Sequence, residues 1–196
     1  MSKPVRKLHG FFEAEGPYAI NRGFAETIYD VSAGIVGRYT GPIALQSVKG
    51  VRIPTEANPI RLTGVRLGSA DHTGLLTKRG IHGEGLAKPD GFEDGEFGGL
   101  TQYRVDGTRV VSSKFLANVL PPTLDATGGI VIKRAVHEMG HSFGLDHCRL
   151  GACIMHAGHD SVMNAVDPIL ASGKPFCDNC AGDLEVAGYQ ALAAEL

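Results

Sequence analysis

Three histidines in the stretch VHEMGHSFGLDHCRLGACIM, His137, His141 and His147, are spaced to meet on one metal ion, and Glu138 directly follows the first of them. On a helix, positions i and i+4 lie one turn apart on the same face, so His137 and His141 can aim their imidazoles at a common point. Position i+10 is carried about 15 Å along the axis and out of reach. The chain must therefore reverse, and Gly144 stands where a left-handed residue would end the helix and return His147. Three neutral imidazoles suit zinc and leave one coordination position open to water, whose pKa the ion lowers to about 7. Glu138 cannot ligate from its own helical position. It is placed instead to take that water's proton as the water attacks a carbonyl, then to pass it to the leaving amine. The chemistry implied is zinc-dependent peptide-bond hydrolysis, with Glu138 catalytic and His137, His141 and His147 as ligands. No nucleophilic serine or cysteine is required.

The full pattern, H-E-x-x-H-x-x-G-x-x-H followed by a methionine turn, is the signature of metzincin metallopeptidases. Downstream, Cys148 adjoins the third histidine, Cys153 lies five positions on, Met155 closes a Cys-Ile-Met triplet, and Cys177 and Cys180 form a C-x-x-C. From about Ala135 to Cys180 the chain resembles the archaemetzincins, with a looser echo in Phe97 to Leu116. That resemblance implies a second, structural zinc on Cys148, Cys153, Cys177 and Cys180, with Met155 beneath the catalytic zinc. Two zinc ions are then the cofactors. The spacer between Met155 and Cys177 is longer by a few residues than the family's pattern. Read from spacing alone, the four cysteines also admit two disulfides or free thiols, but C-x-x-C in a reducing compartment favours thiolates on metal.

A length of 196 residues suits one domain with a real core, which the resemblance divides into an upper subdomain at 1–147 and a lower one at 148–196. The start of the chain lacks the apolar core of a secretory signal, and no run of 18 or more apolar residues could span a membrane. A cytoplasmic monomer is the expectation, acting on a peptide or protein substrate. A net charge of −2 gives no basic footprint for nucleic acid. The competing reading is a silent or latent zinc protein with a blocked cleft; the intact Glu138 favours an enzyme. Aminopeptidase and endopeptidase both stay open.

The elements that must position these residues read as an α/β fold, α+β in the metzincin manner. A mixed twisted sheet is expected, with a backing helix, a zinc-bearing active-site helix and a small C-terminal subdomain carrying one helix. Val5 to Phe12 reads as an opening strand. Phe24, Ile28, Val31 and Ile35 recur at helical spacing, which predicts a helix over 18–38 with that stripe as core. Ile43 to Ile53 and Arg61 to Leu67 read as strands. From Gly64 to Gly99 glycine is dense, and regular structure should be scarce. Asp90, Glu93, Asp94 and Glu96 lie there, either on a flap over the cleft or, as the better supported reading, on a solvated loop. Leu100 to Val105 and Thr108 to Ser113 alternate around Asp106 and Gly107 as a hairpin. One of its strands is either a sheet edge for peptide pairing or an internal strand. Asp125 or Thr127 could cap the zinc-bearing helix, and Asp178 to Glu195 reads as the closing helix. His9, His72 and His82 have no partners at ligand spacing and read as structural or solvated. His156 and His159 are left out of the ligand set because three ligands and water complete a catalytic zinc.

Overall fold

The computed structural model describes residues 3–53, 71–78, 99–106, 109–119, 127–157 and 172–190. Five strands form one sheet: β1 (Arg6–Glu13), β2 (Ile43–Val51), β3 (Asp71–Thr77), β4 (Gly99–Asp106) and β5 (Arg109–Asn118), in the order β2-β1-β3-β5-β4. β1, β2, β3 and β5 are parallel, and β4 runs antiparallel to β5 at the edge of the sheet among the described strands. Among the described residues three helices accompany them: α1 (Arg22–Thr40), α2 (Thr127–Ser142) and α3 (Asp178–Gln190). The expected mixed sheet with a backing helix, a site-bearing helix and a closing helix is the observed architecture. None of the described helices is long and apolar enough to cross a membrane.

Alternation along the strands builds two layers. Leu8, Phe12, Leu76, Phe115 and Ala117 belong to the main core with the helices. The intervening Phe11, Leu75 and Leu116 join Val51 and Ile53 in a smaller cluster, as a period of two on a sheet requires. Fully burying one such side chain stabilises the fold by about 1.5–3 kcal/mol. α2 packs against α1, β5 and β4 at once, which holds the site-bearing helix to the sheet edge.

Helix α1 starts at Asn21, whose side chain accepts from the Phe24 amide, and not at 18. Of the expected stripe, Ile28 is buried and Phe24 and Ile35 pack against the core at its margin, while Val31 is 37% exposed; the centre of the buried face is Ala25, Ile28, Tyr29, Ser32, Ala33 and Val36. Small residues on that face let the helix approach the sheet, and Tyr29 fills the space. A Cβ on Gly10 or Gly74 would fall 2.6 Å or 2.7 Å from its ring, so those strand glycines are the floor under it. The Tyr29 hydroxyl donates to the Phe11 carbonyl at 2.7 Å and accepts from the Phe11 amide at 3.2 Å.

The expectation of little regular structure between Gly64 and Gly99 is corrected by β3, which lies at the centre of the sheet inside that segment. The flanking glycines hid a short apolar run. The expected strand at Arg61 to Leu67, the acidic residues Asp90 to Glu96, Asp125, His82 and His159 lie outside the described residues. Thr127, one of the two candidate caps, is the first residue of α2.

Candidate metal centre

Helix α2 carries His137, Glu138 and His141 in its last two turns, then ends in a Schellman motif. The Leu145 amide donates to the Gly140 carbonyl at 3.2 Å and the Gly144 amide to the His141 carbonyl at 2.9 Å. Gly144 has φ of 90°, the left-handed value that its place in the sequence required. The reversal brings His147 back to the pair. Ring centroids are 4.7 Å apart for His137 and His141, 5.3 Å for His137 and His147, and 4.8 Å for His141 and His147.

Hydrogen bonds fix which nitrogens face inward. His137 Nδ1 lies 2.7 Å from the Ile154 carbonyl oxygen and His141 Nδ1 lies 2.6 Å from that of Leu145. A carbonyl only accepts, so each Nδ1 carries the proton and each Nε2 keeps its lone pair. Those two Nε2 atoms stand 3.1 Å apart, and one nitrogen from each of the three rings lies within 4.8 Å of the others. Facing lone pairs repel unless a cation lies between them. Ligands about 2.0–2.1 Å from a tetrahedral zinc stand about 3.3 Å apart, so the 3.1 Å pair fits that ion, with His147 within 4.8 Å of both. Burial pushes His141 below its usual pKa, with the charge of His147 adding to the effect, against the Leu145 hydrogen bond and Asp146, which pull it up. The neutral ring is the ligating form.

Met155 is fully buried beneath the helix. A Cβ on Gly140 would lie 2.5 Å from Met155 Sδ, so the methionine packs directly on the helix backbone between His137 and His141. The motif does not mark Gly140; its place between His137 and His141 was the available signal. Glu138 is 5% exposed, and its neighbour across the gap is Thr101 of β4, another residue that the motif gave no reason to choose.

The second cluster begins one residue after His147. The four sulfurs of Cys148, Cys153, Cys177 and Cys180 lie within 4.8 Å of one another, with Cys148 and Cys177 at 3.8 Å, and no disulfide joins them. Amides of Leu150 and Cys177 donate to Cys148 Sγ and Cys153 Sγ, each at 3.4 Å, the pattern that stabilises thiolates. Burial raises Cys180 and Cys153 above the usual thiol range. Cys177 is also pushed up by burial but ends lower, because the Cys180 amide and the neighbouring thiols bond its thiolate. Unequal thiols crowded together in this way suit a closed four-sulfur metal site. The other described histidines fall outside both clusters. His72 is buried against Phe143 with Nδ1 2.7 Å from Ser113 Oγ, His9 Nδ1 is 3.3 Å from Ser47 Oγ, and His156 bridges to Cys148 in the turn.

Comparison with known proteins agrees with this geometry. The model of Peptidase family M54 matches residues 123–186, which contain both clusters. The archaemetzincin of Saccharolobus solfataricus is 30% identical over 103 residues, covering 51% of this chain and 53% of that protein. The archaemetzincin of Methanopyrus kandleri is 29% identical over 150 residues, covering 74% and 79%. The chain spans about half the length of the first curated relatives it matches. In three dimensions it is similar to the crystal structure of the Methanopyrus kandleri archaemetzincin, with a TM-score of 0.62 and 24% identity over 93% of this chain and 95% of that one. In fold, in the grouping of histidines and cysteines and in sequence, the chain is thus similar to the archaemetzincins.

Proposed function

We propose that the chain is a zinc-dependent peptidase of the metzincin type that hydrolyses peptide bonds with Glu138 as general base. The observation that carries this is the pair of unprotonated Nε2 atoms of His137 and His141, 3.1 Å apart, with a carboxylate on the intervening turn. His147 completes the ligand set. Zinc held there supplies Lewis acidity to a water and to the substrate carbonyl. Glu138 accepts the proton of the attacking water and returns it to the leaving amine; its near-complete burial keeps bulk water from competing for it.

The substrate is a peptide, and β4 supplies a place for it. Among the described strands β4 pairs only with β5, so its other edge presents backbone donors and acceptors to an extended chain. We read a second zinc on Cys148, Cys153, Cys177 and Cys180 as structural, tying α3 to the turn that carries Met155. On this reading one domain has an upper part at 1–147, with the sheet, α1 and α2, and a lower part at 148–196. The cytoplasm is the fitting compartment, since four adjacent thiols remain competent for metal only where disulfides do not form.

The test is metal analysis joined to a peptide assay. Two zinc ions per chain are expected, with hydrolysis lost on chelation and restored by zinc. Hydrolysis that persists after both ions are stripped would contradict the proposal.

A further inference from the structure

The edge strand reaches into the site through two residues. Thr101 Oγ1 lies 2.6 Å from Glu138 Oε2 and 3.0 Å from the Glu138 carbonyl oxygen. A hydroxyl has one proton to give. The carbonyl already accepts from Ser142 Oγ at 3.2 Å, and 2.6 Å is the length of a charge-assisted O–H···O⁻ bond, so the Thr101 proton is assigned to the carboxylate. Gly99 lies two residues earlier and faces the same way along β4. A Cβ there would collide with Oε1, Cδ and Cγ of Glu138. One oxygen of the carboxylate is thus held by β4, and the other lies against its backbone with no room for a side chain.

On the reading of Glu138 as the base, we propose that Thr101 is a positioning residue that fixes its carboxylate by a hydrogen bond, and that Gly99 is the gap that lets β4 come close enough to do so. The consequence is one of registry. β4 is also the strand along whose open edge a peptide would pair, so base and scissile bond are located from the same backbone. A freely rotating carboxylate would have to find its productive rotamer in each turnover; one bonded to Thr101 is held in a single orientation. Thr101 would not touch the substrate, and its effect would fall on kcat and not on binding.

The experiment uses zinc-loaded full-length protein and a quenched peptide. Thr101→Val keeps the shape and removes the hydroxyl, Thr101→Ser keeps the hydroxyl, and Gly99→Ala pushes on the carboxylate with the hydroxyl intact. Thr101→Val is expected to lower kcat by roughly 10- to 100-fold, the usual loss for a bond to a charged group, with KM and zinc content near wild type. Thr101→Ser should recover most of that loss. Gly99→Ala should lower kcat with zinc retained, and it carries the comparison if Thr101→Val does not fold. A Thr101→Val enzyme with wild-type kcat, or a Thr101→Ser enzyme as damaged as Thr101→Val, overturns the proposal. Crystal structures of wild type, Thr101→Val and Gly99→Ala give a readout that does not depend on turnover: the Glu138 carboxylate must leave its wild-type position in the variants, and a carboxylate that stays overturns the clamp. A wild type that hydrolyses no peptide refutes the peptidase reading, and the crystal comparison then decides the clamp by itself.

Discussion

His137 and Ile154 join the two clusters: Nδ1 of the histidine donates to the isoleucine carbonyl at 2.7 Å, and Ile154 is flanked by Cys153 and Met155. The Ile154 amide in turn donates to the Pro175 carbonyl at 2.8 Å, two residues before Cys177. A single peptide segment therefore carries a cysteine, orients a histidine and supplies the methionine under the helix. Cys177 and Cys180 are remote from Glu138 in sequence, yet their cluster sets the position of the carbonyl that orients His137.

Disturbing the cysteine cluster should therefore be felt at the histidines. Cys180→Ser is expected to lower the melting temperature, and to weaken zinc at the histidine site by about 10- to 100-fold, the usual cost of losing a partner that orients a ligand. Competition with a chromophoric chelator measures this. Unchanged affinity at the histidine site in a destabilised variant would show that the two clusters are independent.

Gly140→Ala should destabilise the protein without removing a ligand. The new methyl meets Met155 Sδ at 2.5 Å and Cε at 3.2 Å in a fully buried space, and overpacking of this kind costs about 1–3 kcal/mol. Chemical denaturation reads the difference. A variant as stable as wild type would mean that Met155 is free to move away from the helix.

His72 makes a prediction about acid. Burial, with the charge of Arg6 adding to it, lowers its pKa to about 3 from the ordinary 6.5, and its Nε2 has no hydrogen-bond partner among the described residues. Between those values the unfolded chain binds a proton that the folded one refuses. Stability is therefore full above about pH 6.5 and falls as pH drops, by up to about 1.4 kcal/mol per pH unit, until about pH 3. His72→Gln should show a shallower loss than wild type when unfolding free energies are compared from pH 6.5 to 4.5 in one zinc buffer. Equal slopes would place the acid sensitivity elsewhere.

How much of this was legible in the sequence depends on how local each signal was. The convergence of His137, His141 and His147 was legible because a helix period and one left-handed glycine convert spacing directly into geometry. Helix α1 was legible as a helix and in most of its facing, since Ile28 is buried and Phe24 and Ile35 pack against the core, but the small buried Ala25, Ser32 and Ala33 gave no signal and the bulky Val31 is exposed. β3 was lost among glycines, since a central strand owes its place to its neighbours β1 and β5 more than to its own pattern. The approach of Thr101 and Gly99 to Glu138 joins residues 37 and 39 positions apart through the β4·β5 pairing and the packing of α2. No periodicity within either segment encodes such a contact.

The most direct measurement is the rate of peptide hydrolysis by Glu138→Gln with zinc bound. The substitution keeps the size of the side chain and an oxygen that can accept from Thr101, leaves the three histidines untouched, and removes only the carboxylate that accepts a proton. Zinc content equal to wild type is expected, with kcat reduced by about 10² to 10⁴, the usual worth of general-base assistance. Peptides with free N-termini should be assayed beside internally quenched ones, so that either mode of cleavage is seen. Wild type and Glu138→Gln turning over every peptide at the same rate, with zinc bound in both, would contradict the account.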